Sequence, residues 1–485
     1  MKTMQLLFVG VLVCSALLLS ACTHKSPSDT GSEDDFPVKL VPSKELSANY
    51  TLLDLFYIYG HTRNEIEDSV EAYVGEGSAL DSKNAFGEKS CTKGYFDVCY
   101  MYNQMDDPYT RYYDPTLAPA ILAAIEESEK GLKIVGIESA PYDEFDAELF
   151  VVTSVTEGAR NLGIQEGDLY SMDDLMMAYE KYSGRDTIML SIARPLSPTA
   201  SSPDQFNLVT VKVVVEETGR LPTVYLHYEE DGMGDYIPVI KITEFDSKTL
   251  NDSGTYGEFA EALKKTAGAK STIIDLRNNG GGDTEHCINA AGEFLSAGDT
   301  IVIDIFSDVD SILVDGKQKY IQKLDTMAVV ADEDGSAKDR YVVILANEWS
   351  ASCAELMLSA IASNKKSPVV GTLTYGKQIA QAVIAKGEED EDIPIAMPEG
   401  LAIITAMYSY DKDWKLYHDL GIVPDFEIET RKAQMEKAVE LASSATYRRT
   451  AGYGTERLGH FAKPAAQIGG RTSLKAMKMR YKIIR

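Results

Sequence analysis

The sequence predicts an α/β core preceded by a helical segment and a β-rich segment, and three observations point there. From about Pro222 onward, strand and helix patterns alternate. Tyr236–Ile242, Ser271–Leu276, Tyr341–Leu345 and Val369–Val370 read as strands, and Tyr256–Thr266, Glu285–Ala297 and Cys353–Ser363 as helices. From Gly131 to about Glu217 the pattern is one of short alternating strands: Ile134, Val135 and Ile137, then Phe150 to Val155, Thr187–Ala193 and Leu208–Val215, with a helical stretch near Asp174–Tyr182. From about Tyr50 to Ser128 the patterns are helical, with apolar clusters at Leu52, Leu53, Leu55, Phe56 and Ile58 and at Ile66, Val70 and Tyr73.

Composition sets the limits. A chain of 485 residues is long enough for roughly three domains, and 44% apolar with 25% charged residues suits a buried core. Lys plus Arg is 47 against 75 Asp plus Glu, a net charge of −28. So acidic a surface repels phosphate backbones, which argues against general nucleic-acid binding. The stretch from Tyr447 to Arg485 is the exception, with ten Lys or Arg against the one acid Glu456. Six Cys in this length exclude a disulfide-framework scaffold.

The first residues carry an address. Lys2 precedes a mostly apolar run from Leu6 to Leu19, too short to span a bilayer comfortably but suited to a signal peptide. Leu19-Ser20-Ala21-Cys22 resembles the bacterial lipobox, which implies that Cys22 carries lipid after cleavage of residues 1–21. Residues 22–48 read as a disordered tether. The expected product is a lipid-anchored soluble body in the cell envelope. The lack of Asp directly after Cys22 favours the outer membrane by resemblance to a sorting rule, and leaves the face open. Four Cys then remain in an oxidising compartment. Cys91 and Cys99 lie close enough to close a small loop as a disulfide.

In the β-rich segment, residues 129–217, Glu157-Gly158-Ala159-Arg160 leads through Gly163-Ile164 to a Gly167-Asp168 turn. With Gly131-Leu132-Lys133-Ile134 in front, this resembles a PDZ domain. The resemblance implies that Gly131, Leu132, Lys133 and Ile134 offer backbone N–H groups to a peptide C-terminus while the peptide adds a strand. The hairpin after Asp168 is shortened to Leu169-Tyr170-Ser171. A β-rich spacer that binds nothing is the alternative.

Three motifs in the α/β region carry chemistry. Asp275-Leu276-Arg277-Asn278-Asn279-Gly280-Gly281-Gly282 ends a strand in a Gly-rich turn that can bring N–H groups up to an anion. No Gly-Lys-Ser or Gly-Lys-Thr follows, so it is not a P-loop. Asn347-Glu348-Trp349-Ser350-Ala351-Ser352-Cys353-Ala354-Glu355 places Ser residues at a strand-to-helix turn, where the helix N-terminus favours negative charge. Ser350 or Ser352 as a plain N-cap is the competing reading. Thr374-Tyr375-Gly376-Lys377-Gln378-Ile379-Ala380-Gln381 puts a Lys between a Gly turn and a β-like run, a surface Lys if taken singly.

In this order the three motifs resemble the carboxy-terminal processing peptidases, tail-specific serine proteases with a Ser–Lys dyad. Gly421-Ile422-Val423-Pro424-Asp425 and Asp107-Pro108-Tyr109-Thr110 match further signatures of that family, so the resemblance spans about Tyr50 to Glu440. It implies a crotonase/Clp-like protease core at 218–440, an inserted PDZ-like β domain, an N-terminal helical domain at 49–128 and a basic tail at 441–485. Carried over by motif, Ser352 is the nucleophile, Lys377 the general base and Gln381 its support. Cys353 with Gly281 or Gly282 would form the oxyanion hole. Cys353-Ala354, Gly280 and Gln378 depart from the usual residues, which puts rate and loop geometry in question. A Ser hydroxyl needs a base to take its proton. Lys, with an ordinary pKa of about 10.4, must be desolvated to serve as one.

The resemblance implies peptide or protein substrates, and this chemistry calls for no metal or other cofactor. His286, beside the Gly-rich turn, is a rival base on the pattern of tricorn-type relatives. Cys287 and Cys353 are weaker rivals as thiol nucleophiles. A lipid-anchored peptide- or small-ligand-binding protein of the same fold is the second reading. The sequence leaves the oligomeric state open.

Overall fold

A computed structural model describes residues 44–58, 95–126, 131–385, 398–448 and 479–484, apart from short breaks within the second and third segments. The signal peptide with Cys22, Cys91, the acidic run Glu388–Asp392 and most of the basic tail lie outside the described residues. Cys99 is itself disulfide-bonded.

The N-terminal part contributes α1 (Lys44–Phe56), α2 (Phe96–Asn103), β1 (Arg111–Tyr113) and α3 (Ala118–Glu126). The β-rich part contributes β2 (Gly131–Ile134), β3 (Ile137–Tyr142), β4 (Leu149–Val155), α4 (Glu157–Asn161), β5 (Leu169–Tyr170), α5 (Met172–Lys181), β6 (Thr187–Pro195) and β7 (Phe206–Thr218). The core runs β8 (Val224–Glu230), β9 (Tyr236–Ile242), α6 (Gly254–Lys265), β10 (Ser271–Asp275), α7 (Thr284–Gly292), β11 (Thr300–Val314), β12 (Lys317–Ala331) and β13 (Tyr341–Ala346). It continues with α8 (Cys353–Lys365), β14 (Val369–Gly371), β15 (Ile379–Ala385), β16 (Leu401–Tyr410), β17 (Phe426–Glu427) and α9 (Arg431–Arg448), and β18 (Met479–Ile484) closes the chain.

The first core sheet has the order β17-β14-β13-β10-β9-β8. Its strands are parallel except for the β8–β9 pair. Both faces are covered. Ile240, Ile274, Val342 and Ile344 pack under α6, α7 and α8, while Val239, Ile273, Val343 and Leu345 meet Met435, Ala438 and Leu441 of α9. That is why β10 and β13 read as unbroken apolar runs. The loop leaving β10 is pinned by a buried ion cluster. Asp275 takes Arg277 at 2.7 Å and Lys241 at 3.9 Å, and Arg277 Nη1 donates to Arg431 O and Gln434 Oε1. Burial by itself would raise the Asp275 carboxyl, but the charges of Arg277 and Lys241 hold it below its ordinary range.

The second core sheet runs β1-β16-β11-β12-β18, with β15 also paired to β16. Alternate residues of β15 and β16 (Ala382, Ile384, Ala402, Ile404, Ala406) share one cluster with Leu46, Leu52, Val98 and Tyr102 of α1 and α2. The N-terminal helices therefore cover the sheet that carries Gln381. Helix α1 also corrects the tether boundary, since Lys44 to Ser47 are helical and Glu45 and Leu46 are buried. The reason is long-range. Glu45 accepts Tyr112 Oη and the N–H groups of Glu399 and Gly400, partners that local composition does not reveal. Within the segment expected as a basic tail, 441–485, helix α9 continues to Arg448 and β18 pairs parallel with β12 from Thr326 to Ala331.

The third sheet, β2-β7-β6-β5-β4-β3, is the β-rich segment with its own core of Leu132, Ile134, Val152, Leu190 and Val213. The turn at Gly167-Asp168 is locked by Arg194, whose guanidinium meets both Asp168 oxygens at 2.7 Å and donates to Gly163 O. Gly131 to Ile134 is not an open loop. It is strand β2, paired with β7 from Thr218 to Val215, with Leu132 and Ile134 facing the core. The turn to β3 falls instead at Gly136, whose φ of 83° suits glycine.

Candidate active site

Two turns leave adjacent parallel strands and meet. The turn after β13 carries Asn347 to Ser352 and enters α8. The turn after β10 carries Leu276 to Asp283 and enters α7, with Asp283 as N-cap accepting Glu285 N–H. Ser350 is buried and bolts the two together, accepting Asn347 N–H and donating to Leu276 O at 2.8 Å. Ala351 N donates to Asn279 O, and Asn278 N to Asn347 Oδ1. Ser350 is thereby structural rather than a helix cap.

Ser352 is half-buried and sits at the N-cap position of α8 with φ 55° and ψ −117°. A non-glycine residue held there costs about 1–3 kcal/mol. Strained strand-to-helix turns of this kind present a nucleophilic hydroxyl at the helix N-terminus. Two backbone donors beside it, Cys353 N and Gly282 N, have no hydrogen-bond partner among the described residues. Gly281 N does not join them, because it donates to Asn279 Oδ1 at 2.8 Å. Of the two glycines expected at this position, only Gly282 is left to donate. Glycine is required at both for space. A Cβ on Gly281 would lie 2.7 Å from Ser352 Cβ, and one on Gly282 would lie 2.0 Å from Phe245 O.

Lys377 arrives on the turn between β14 and β15. Glu355, fully buried one turn into α8, organises that turn. Its Oε1 accepts Thr374 Oγ1 at 2.5 Å and Gly376 N at 2.7 Å, and its Oε2 accepts Lys377 N at 2.7 Å and Ser352 N at 3.1 Å. Burial pushes its carboxyl up, and these four donors pull it back down. The Ser-x-x-Glu spacing of a capping box was the available sequence signal for this role. The Gly421 turn packs on the same loop. Ile422 N donates to Thr374 Oγ1, and a Cβ on Gly421 would lie 2.3 Å from Thr374 O.

One cleft is lined by Ser352, Lys377 and Gln381 together with Gly282, Cys353, Leu356 and Met407. Gln381 lies at a bulge between β15 and β16, 5% exposed, and its Nε2 has no hydrogen-bond partner among the described residues. Such an unpaired buried donor costs about 1–3 kcal/mol, which a group bound in the cleft can offset. Lys377 Nζ stands 5.1 Å from the Tyr109 ring centroid. Tyr109 is held by its own motif. Asp107 accepts Tyr109 N and Thr110 Oγ1, and Thr110 Oγ1 in turn accepts Thr405 N opposite Gln381. The Asp107-Pro108-Tyr109-Thr110 signature thus sets an aromatic ring beside the Lys377 side chain, a placement the sequence did not reveal.

The rival residues are placed differently. His286 is not among the cleft-lining residues, and its Nδ1 accepts Tyr256 N at 3.1 Å. Cys287 and Cys353 are joined to each other as a disulfide with Cα atoms 5.8 Å apart, so neither offers a thiol.

Residues 236–428, which contain every motif of this cleft except Asp107-Pro108-Tyr109-Thr110, match the model of peptidase family S41. Over these residues the chain is similar to that family. A protein named "Probable CtpA-like serine protease" from Staphylococcus haemolyticus is 24% identical over 380 residues, which is 74% of this chain and 66% of that protein. One of the same name from Staphylococcus epidermidis is 33% identical over 205 residues, 40% of this chain and 37% of the relative. The chain thus spans between a third and two thirds of these relatives. Among solved structures, the photosystem II D1 C-terminal processing protease aligns over 84% of this chain and 99% of its own, with TM-score 0.44 and 18% identity. Within residues 236–428 the α/β layering of the first core sheet delivers the turns bearing Gly282 and Ser352 from the C-terminal ends of neighbouring strands β10 and β13.

Proposed function

We propose that this chain is a serine endopeptidase of the bacterial envelope that cleaves polypeptides near their C-termini. The observation that carries the reading is the convergence of a strained Ser352, Lys377 and Gln381 on one cleft beside two unpaired backbone donors. Ser352 Oγ attacks the scissile carbonyl. Lys377, as the neutral amine, accepts the hydroxyl proton and later passes it to the leaving amine. The Gln381 carbonyl orients that amine without adding charge. Cys353 N–H and Gly282 N–H stabilise the tetrahedral oxyanion, where loss of one donor typically costs about 3 kcal/mol. Leu356, Ile379 and Met407 line the same cleft, an apolar surrounding that would disfavour the ammonium form.

The lipobox-like Cys22 would anchor the body to the membrane, with the outer membrane favoured. The β-rich segment would act as a PDZ-like selector of free C-termini. Strands β2 and β3 are the two end strands of the sheet order, paired with β7 and β4 respectively, and together with the Val135-Gly136 turn that joins them they are the elements that would meet a peptide.

Mass spectrometry of envelope proteins from cells with wild-type or Ser352→Ala enzyme tests the reading. Shortened C-termini that appear only with the wild type support it, and identical C-termini sink it. Peptides with free-acid and amidated ends separate the selector from the chemistry, because amidation would lower kcat/KM only if the terminal carboxylate is read.

A further inference from the structure

We infer that the Cys287–Cys353 disulfide is a positioning device that fixes the spacing of the two oxyanion donors. The inference rests on the peptidase reading above, because it concerns the same cleft.

The donors come from segments far apart in sequence. Gly282 ends the Gly-rich turn, and Cys353 opens α8 directly after Ser352. The bridged cysteines are 66 positions apart, yet one carries a donor itself and the other follows the second donor in the helix that the Gly-rich turn enters. Cys353 contributes the donor N–H from its own backbone. Cys287 lies in the first turn and a half of α7, which begins with no loop between it and Gly282 beyond the N-cap Asp283. Cys353 Sγ is 3.3 Å from Asp283 O, the carbonyl one residue past Gly282.

The side-chain and backbone hydrogen bonds that tie the two segments lie on the strand side: Ser350 to Leu276, Asn347 to Asn278 and Ala351 to Asn279. Past Asn279, no backbone–backbone hydrogen bond among the described residues joins Gly281–Asp283 to Ser352–Glu355. On the helix side the disulfide is the covalent tie, beside the apolar packing of α7 on α8. Inward movement is already blocked, since Gly281 has no room even for a methyl group against Ser352 Cβ and Cys353 N. The remaining freedom is for α7 and α8 to part, which would widen the gap between the donors. A bond between the first turns of the two helices opposes that movement. Oxyanion stabilisation depends on donors held about 3 Å from the developing charge, and small misplacements are costly in rate. Both cysteines are buried, at 0% and 1% exposure, which suits a brace rather than a reactive thiol.

The test compares the wild type with Cys287→Ala and with the Cys287→Ala/Cys353→Ala double variant, well below their melting temperatures. Cleavage of an unfolded casein substrate is measured together with amide hydrogen exchange. The expected result is a kcat about tenfold lower with KM within about twofold, and faster exchange in peptides covering 280–283 and 350–353. If Cys287→Ala does not fold, the same readouts are taken on wild-type protein reduced with dithiothreitol. Unchanged kcat and unchanged exchange, with only a lowered Tm, would reduce the bond to a staple and overturn the inference. If the oxidised wild type cleaves no polypeptide, the peptidase reading falls, and exchange at the two turns still decides whether the disulfide braces them.

Discussion

Ser352 and Lys377 share one carboxylate oxygen: both donate their backbone N–H to Glu355 Oε2, at 3.1 and 2.7 Å. The turn that bears Ser352 and the turn that bears Lys377 are thereby set against each other by one buried side chain. The other oxygen, Oε1, holds Thr374 and Gly376 of the Lys377 turn. Glu355 is a positioning residue, and both of its oxygens are needed as acceptors.

Glu355→Gln keeps the shape but replaces one acceptor by an NH₂ group facing N–H donors. Stability should fall by about 1–3 kcal/mol, and kcat by about a hundredfold with a smaller change in KM. Urea unfolding and steady-state cleavage measure the two effects. Wild-type kcat in Glu355→Gln would show that the shared carboxylate does not set the geometry.

The Tyr109 face beside Lys377 favours the ammonium over the amine, by about 0.5–1 kcal/mol for a partly exposed contact. Removing it in Tyr109→Leu should let the proton leave more easily. The acid limb of the pH profile of kcat/KM should then move to lower pH by about half a unit. A limb that stays in place, or moves upward, would show that the ring does not act on the base.

His418 is buried against Tyr109 and Tyr408, with ring centroids at 6.0 and 6.3 Å. Burial lowers its pKa below the ordinary 6.5, and Lys377 adds to that, against the opposing charges of Asp419 and Asp107. With the folded pKa depressed, the unfolded chain binds the proton more readily. The contribution is therefore fully present above about pH 6.5 and is lost as pH falls below it, at no more than about 1.4 kcal/mol per pH unit for one proton. His418→Phe preserves the ring packing and should flatten this part of the pH dependence of the urea midpoint between pH 8 and 5. Parallel wild-type and variant curves would contradict it.

The sequence and the structure part company where contacts are long-range. Strands β9, β10 and β13 were legible because both of their faces are covered, so that consecutive rather than alternating positions are apolar (Val239-Ile240, Ile273-Ile274, Val342 to Leu345) between turn residues. The hairpin β11–β12 was not, since its root is buried on both faces while its tip is exposed, and no single period runs through it. Ser352, Lys377 and Gln381 were legible through ordered motifs. The disulfide was not, because Cys287 and Cys353 meet only once α7 packs on α8. The choice of Gly282 over Gly281 was hidden as well, since it depends on where the Asn279 side chain points.

The central claim is that Ser352 and Lys377 act as one catalytic unit, and kcat/KM on an unfolded protein substrate for Ser352→Ala, Lys377→Ala and the double variant tests it most directly. Residues acting as a unit are strongly non-additive. Each single variant should fall to background while remaining folded, and the double variant should be no worse than either. Undiminished cleavage by Lys377→Ala, with His286→Ala inactive instead, would contradict the account.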